Sequence, residues 1–246
     1  MQNYKLVLSY DGTRYRGWQR LEGDACTIQY KVEQVLSRLA EQPVEIQGSG
    51  RTDAGVHAKG QVASFFLPDP ISPEQIRKYL REYLPEDIGA ISVEYAPERF
   101  HARLNAVRKT YSYRLWTTDA PCVFERRYVY RPPLPLDPER MRRASLRLMG
   151  HHDFAGFCGR LPGKKSTVRN LENIEIIEKP QELELRFTGD GFLNHMVRIL
   201  TGTLIEIGDG RRQADSIDQI FEEKHRDLAG YTVPARGLCL ERVEYE

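Results

Sequence analysis

The order of strand-like and helix-like stretches in the first part of the chain restricts its fold more than any other feature. Tyr4 to Tyr10 (YKLVLSY) reads as a strand closed by an Asp11-Gly12 turn. From Thr27 the apolar residues Ile28, Val32, Val35, Leu36 and Leu39 recur at the spacing of one helix face. Val44 to Gln47 and Gln61 to Leu67 read as two further strands. Ser72-Pro73-Glu74-Gln75 marks a helix start, with Ser72 as cap, Pro73 at the first helical position and Gln75 three residues after the cap. Ile76, Tyr79, Leu80 and Tyr83 continue its apolar face, Pro85 ends it, and Ile88 to Tyr95 supplies another strand. The order is β-α-β-β-α-β, the split βαβ arrangement of ferredoxin-like domains.

The second part repeats much of this order. Thr110 to Trp116 (TYSYRLW) alternates aromatic and polar residues as a half-buried strand does. Asp137-Pro138 caps a helix whose core face is Met141, Ala144, Leu148 and Met149. Arg169 to Glu178 and Leu183 to Thr188 form a strand pair turning near Lys179-Pro180. Phe192 to Ile207 is the most apolar helix, stopped by Gly208; Ser216 to Glu223 is a short capped helix, and Gly237 to Tyr245 a closing strand. These patterns predict an α+β fold of two halves, 1–106 and 107–246, with their sheets edge to edge around a cleft. No apolar run approaches the ~20 residues that cross a bilayer, and the N-terminus lacks a signal-peptide core. A cytoplasmic protein is expected. Four scattered cysteines (Cys26, Cys122, Cys158, Cys239) without a Cys-x-x-Cys pair argue against a zinc ribbon or a disulfide framework and for reduced thiols.

The net charge of +1 does not announce a nucleic-acid binder, but its distribution is uneven. Arg99, His101, Arg103, Arg108, Lys109 and Arg114 lie in an acid-free stretch, followed by Arg126, Arg127 and Arg131 and by Arg140, Arg142, Arg143 and Arg147. The acids gather elsewhere, as in Glu172 to Glu184. Such a stripe suits a polyanion, and equally a set of solvated helix faces.

Three segments carry chemistry. Gly48, Gly50 and Gly55 surround Arg51-Thr52-Asp53 on a loop between strands, where glycines permit unusual backbone angles and the close approach of another backbone. Such a loop can hold one carboxylate at the floor of a cleft; by residue type alone, a hairpin loop whose Asp53 caps its own backbone is the commoner outcome. Arg198 lies in a helix that is apolar nearly all round, so a carboxylate partner is expected, with room left by Gly202 one turn on. Glu206 and Asp53 are the candidates, and pairing with Asp53 keeps that acid ionised. Tyr111 and Tyr113 share one strand face, as core or as a platform for a base. A P-loop is excluded, since Cys158 occupies its first glycine position and Lys165 its Ser/Thr position. Neither His151-His152-Asp153 nor Asp53 with His57 completes a metal-ligand set by spacing.

Taken together, several motifs resemble one family. Gly50-Arg51-Thr52-Asp53-Ala54-Gly55-Val56-His57-Ala58 resembles the signature of pseudouridine synthases of the tRNA pseudouridine synthase A type. Tyr10-Asp11-Gly12-Thr13 with Gly17-Trp18-Gln19, then Thr27-Ile28-Gln29, Phe100-His101-Ala102-Arg103 and Lys109-Thr110-Tyr111-Ser112-Tyr113 follow in the family's order. His152-Asp153-Phe154, Met196-Val197-Arg198 and Pro234-Ala235-Arg236-Gly237-Leu238 complete the set. The resemblance implies the pseudouridine synthase fold, two ferredoxin-like halves forming a largely antiparallel mixed sheet with a central cleft. It implies an isomerase that acts as a homodimer on uridine in the tRNA anticodon stem-loop, on its 3′ side, without metal or organic cofactor, DNA or membrane. Asp53 is then the catalytic aspartate, Tyr111 the tyrosine that stacks on the flipped base, and Arg198 the arginine that pairs with the aspartate. Arg51, His57 and Arg103 hold the RNA or the site loop. Gly156 and Cys158 depart from the pattern, where Ser-like and Arg-like residues are expected. That departure keeps open a paralogue with another RNA target, beside a non-catalytic tRNA-binding or RNA-folding protein.

Overall fold

The computed structural model describes residues 1–132, 135–163 and 165–246. In chain order the elements are β1 (Gln2–Tyr10), α1 (Ile28–Leu39), β2 (Gln47–Gly48), β3 (His57–Leu67), α2 (Pro73–Tyr83) and β4 (Ile88–Ala96). There follow β5 (Ala106–Trp116), α3 (Pro138–Ser145), β6 (Gly150–Asp153), β7 (Val168–Glu178), β8 (Glu182–Gly189), α4 (Met196–Gly208), α5 (Ser216–Glu223) and β9 (Leu238–Tyr245). The contacts divide them into a unit of residues 1–107 with 239–246 and a unit of residues 108–238. The last strand, read in sequence as closing the second half, thus contributes 239–246 to the first unit.

The first unit has the expected β-α-β-β-α-β order. β1 pairs antiparallel with β3 and with β4, β2 pairs antiparallel with β3, and β9 pairs parallel with the start of β3. Ile28, Val32 and Leu36 of α1 and Ile76 and Leu80 of α2 are fully buried, as are Tyr4, Leu6 and Leu8 of β1. Burial of each such side chain stabilises by roughly 1.5–3 kcal/mol. Ser72 and Gln75 form the reciprocal cap read from the sequence. The strand expected over Val44 to Gln47 shrinks to Gln47–Gly48. Side chains of α1 take its backbone donors instead: Val44 N donates to Ser37 Oγ at 2.9 Å and Ile46 N to Glu33 Oε1 at 3.0 Å.

The second unit is an antiparallel sheet in the order β5-β8-β7-β6. β6 was not anticipated. α3 starts at the Asp137 cap, whose carboxylate accepts from Glu139 N and Arg140 N. α4 begins at Met196 rather than Phe192, because His195 adopts a left-handed φ of 58° that no helix continues through. α5 matches its expected bounds, although Asp215 makes no side-chain cap bond. Among the described residues no helix is long and apolar enough to cross a membrane.

Gly202 leaves room for backbone and not for a carboxylate. A Cβ there would lie 1.9 Å from Tyr231 O, and one on Gly230 would lie 2.4 Å from Thr203 N. The stretch 230–234 therefore runs directly against α4, where Gly230 N donates to Thr203 Oγ1 at 2.9 Å. Alanine ordinarily improves a helix interior by up to ~1 kcal/mol over glycine, but here the clash falls on backbone. Gly202→Ala should thus destabilise by about 1–3 kcal/mol, read as a lower urea midpoint at unchanged slope.

Candidate active site

The loop between β2 and β3 starts in sheet register, with Ser49 N donating to Val62 O at 2.7 Å. It then leaves the ladder and returns at His57 through a turn in which Val56 N donates to Asp53 O at 3.1 Å. Gly55 sits in that turn at φ 78°, which favours glycine. The main-chain carbonyl of Asp53 closes the turn, so the closure does not need the carboxylate, and the residue is partly exposed.

A second stretch of backbone, residues 10–18, backs this loop. Trp18 N donates to Thr52 O at 3.0 Å and Gly55 N to Tyr15 O at 3.2 Å. Such proximity depends on missing side chains. A Cβ on Gly12 would lie 2.0 Å from Val56 O, one on Gly17 2.6 Å from Thr52 O, and one on Gly48 2.5 Å from the Trp18 ring. The backing stretch is itself held. Gly17 O and Trp18 O accept from Ile28 N and Gln29 N, two otherwise orphan donors at the start of α1. Asp87, just before β4, accepts from Tyr15 Oη at 2.6 Å and from Arg14 Nε at 2.8 Å. The motifs at Tyr10 to Thr13 and Gly17 to Gln19 thus lie behind the Asp53 loop.

His57 is buried, with Nδ1 3.1 Å from Gly12 N and 3.1 Å from Asp11 Oδ1. Its ring fastens the end of the loop to the backing stretch. Arg51 is exposed on the loop. Arg103, also exposed, follows the buried Ala102, whose N donates to Ser64 Oγ at 3.1 Å and whose carbonyl accepts from Tyr245 Oη at 2.7 Å. Sequence reasoning passed over Gln61. This side chain is fully buried beneath the loop, where Nε2 donates to Gly50 O at 3.1 Å and Oε1 accepts from Ser49 Oγ at 2.6 Å.

The other expected site residues belong to the second unit. Tyr111 on β5 is buried and meets Phe192 edge-on at 5.2 Å between ring centroids. Arg198 on α4 is half-buried and donates from Nε to Val233 O at 2.8 Å. The neighbouring carbonyl, Pro234 O, accepts from Tyr113 Oη at 2.7 Å. Burial pushes the Tyr113 phenol well above its usual range, and the nearby Arg198 charge acts in the opposite direction. Glu206, the example of a local partner for Arg198, makes other contacts. Glu206 is engaged by Arg212, Nε to Oε2 at 2.8 Å, and by Tyr231 N, to Oε1 at 3.3 Å.

A family described as tRNA pseudouridine synthase matches residues 6–105 and 144–246. A Bacillus cereus protein named tRNA pseudouridine synthase A 2 is 42% identical over 245 residues, covering 100% of both chains. Relatives named tRNA pseudouridine synthase A from a Bacillus species and from Clostridium kluyveri are 43% and 40% identical, again over 100% of both chains. The chain belongs to the tRNA pseudouridine synthase family. Arg51, Asp53, His57, Arg103 and Arg198 fall inside the matched stretches, and Tyr111 falls between them.

The departures from the family pattern have local causes. A Cβ on Gly156 would lie 2.7 Å from Ile220 Cγ2 and 3.0 Å from Ile220 O, so α5 fills the place of a serine side chain. Cys158 is buried, with Sγ 3.0 Å from Arg160 O. His152 stacks on Phe221 at 4.5 Å, and Asp153 is held below the usual carboxylate range by Lys224 and Thr167. Among the described residues no three His, Cys, Asp or Glu side chains gather as metal ligands would.

Much of the basic stripe is neutralised. Arg108 pairs with Glu172, Arg114 with Glu125 and Glu182, Arg131 with Asp119, and Arg142 with Glu139 and Glu178. Arg140, Arg143 and Arg147 pair with Asp137, Glu139 and Asp218. The acids read as gathering elsewhere return to meet the arginines, partly across the register of β5, β7 and β8. Gly17→Ala should destabilise by about 2 kcal/mol or more, since its φ of 99° is hostile to a side chain and the Thr52 carbonyl occupies the space. Chemical denaturation checks this, and an unchanged midpoint would show the backing contact to be dispensable.

Proposed function

We propose that this chain isomerises uridine to pseudouridine in tRNA, on the 3′ side of the anticodon stem-loop, with Asp53 as the catalytic carboxylate. The observation that carries the reading, beside family membership, is the setting of Asp53: a partly exposed carboxylate on a loop pinned along its backbone. Catalysis depends on such positioning, because a displaced group forfeits much of the advantage of proximity. Asp53 supplies the nucleophile, whose bond to the substrate forms and is broken again within the cycle. The bond from ribose C1′ to uracil N1 breaks, the base turns, a bond from C1′ to C5 forms, the C5 proton leaves and N1 takes up a proton. The product is an isomer of the substrate, so the reaction balances without a redox partner.

The target base must leave its stack, at a cost of a few kcal/mol. Stacking on an aromatic side chain returns roughly 1–3 kcal/mol, the role we assign to Tyr111. To Arg198 we assign the role of countercharge to the Asp53 carboxylate. Arg51 and Arg103, both exposed, hold phosphates without reading sequence, and His57 holds the loop. The working form is a homodimer.

Loss of the C5 proton provides the assay. Asp53→Ala should abolish tritium release from tRNA labelled at uridine C5 while tRNA binding persists; full release in that variant would overturn the assignment. Arg198→Met should lower turnover more than tRNA affinity, and small equal effects on both would remove it from the catalytic set. Pseudouridine mapping of tRNA after incubation with the protein identifies the position modified, and a product outside the anticodon stem-loop would reassign the target.

A further inference from the structure

A connected set of buried polar groups lies beneath the Asp53 loop, and nothing in the reaction as described uses it. Gln61 is 0% exposed on β3, Ser49 1%, Tyr10 5% and Thr52 6%. The Gln61 amide makes four hydrogen bonds. Its Nε2 donates to Gly50 O at 3.1 Å and to Tyr10 Oη at 3.4 Å, and its Oε1 accepts from Ser49 Oγ at 2.6 Å and from Val62 N at 3.2 Å. Tyr10 Oη in turn lies 2.9 Å from Thr52 Oγ1. The polar capacity of the amide is met in full, as buried groups require. Burial pushes the Tyr10 phenol far above its usual range, so it remains a neutral hydroxyl throughout the working pH range.

We propose that Gln61 and Tyr10 are positioning residues for the isomerisation, setting the place of Asp53 through Ser49, Gly50 and Thr52, which precede it on the loop. The proposal rests on Asp53 as the catalytic carboxylate. A strand would not need these groups, because Val62 and Ala63 already pair with β1, and an apolar pair of similar volume would fill the core without polar atoms to satisfy. The contacts instead go to the catalytic loop: Gly50 O, Ser49 Oγ and Thr52 Oγ1. With Trp18 N on Thr52 O from the other side, both the backbone and the side chain of the residue before Asp53 are fixed. A reacting group must hold its position within about 0.5 Å, and supporting hydrogen bonds are the usual means. Tyr10 and Gln61 lie on two adjoining strands of the sheet, β1 and β3, so the loop takes its register from paired strands.

The test is steady-state kinetics on tRNA with the full-length protein, below the melting temperature of each variant. Tyr10→Phe, which removes one oxygen, and Gln61→Leu should each lower kcat at least about tenfold, or 1.4 kcal/mol in the barrier, with KM for tRNA within twofold of the parent. If Gln61→Leu fails to fold, Tyr10→Phe carries the test alone. Gln61→Glu adds a signature that a merely structural role would not give. As a neutral acid it can still donate to Gly50 O, and as a carboxylate it repels that carbonyl, so its kcat relative to the parent should climb as the pH falls. Parent-like kcat in folded Tyr10→Phe, or a raised KM with kcat retained, would overturn the proposal. Asp53→Ala separates the two readings: if it is inactive while Tyr10→Phe runs at full rate, only the positioning role fails, and if it is active, both do.

Discussion

Two stretches of main chain in the first unit touch because one of them carries no side chain where they meet, and the setting of Asp53 depends on that contact. Gly12 and Gly17 admit Val56 O and Thr52 O to distances that a Cβ would forbid, and Gly48 admits the Trp18 ring. Each of the hydrogen bonds that then form contributes only about 1 kcal/mol net. Their larger effect is on freedom. A loop residue left mobile retains about 1–2 kcal/mol of backbone entropy, which on the proposed reading would have to be removed whenever the carboxylate reacts. Here it is removed on folding, through a backing stretch that is itself tied to the start of α1 and to Asp87.

The second unit uses the same device. Gly202 and Gly230 let the stretch 230–234 lie directly against α4, and its carbonyls at Val233 and Pro234 fasten Arg198 and Tyr113. In both units a glycine-permitted contact between backbones comes first, and a polar side chain is then locked onto the exposed carbonyls. An alkyl group inserted at either contact would displace the whole stretch, because the obstructing atoms are main chain with no rotamer to yield.

Periodicity and caps made most of the fold legible. The alternating and helical runs of the first unit, the Ser72 box and the Asp137 cap all depend on residues close in sequence, and they appear where expected. The misreadings came where distant groups decide. Val44 and Ile46 look like strand, but their donors go to α1 side chains. Phe192 to Asn194 fit a helical pattern that the left-handed His195 interrupts. Arg198 stood out as a charge in an apolar helix, yet the space at Gly202 belongs to the Tyr231 backbone. Gln61 was invisible: a glutamine at the start of a strand reads as solvent-facing, and the return of the loop over it makes it core. Asp53 stood out through its motif alone, since its local sequence equally fits an ordinary turn.

The arginines show the same limit in their charges. Counted along the chain they form a stripe, but Arg108, Arg114 and Arg142 face glutamates that folding brings to them on β7 and β8. Pairs near the surface add little stability, yet they remove positive charge that could otherwise meet phosphates. With a net charge of +1, no strong overall field is left to draw RNA in. Affinity must then come from a small number of local cations, and Arg51 stands two residues from Asp53 on the same pinned loop. On the proposed reading one rigid segment both grips the backbone of the RNA and presents the reacting carboxylate. Fixing that segment with buried groups such as Gln61 and Tyr10 sets binding geometry and chemistry together, and that shared dependence explains why so much unexposed polar structure is concentrated beneath so short a loop.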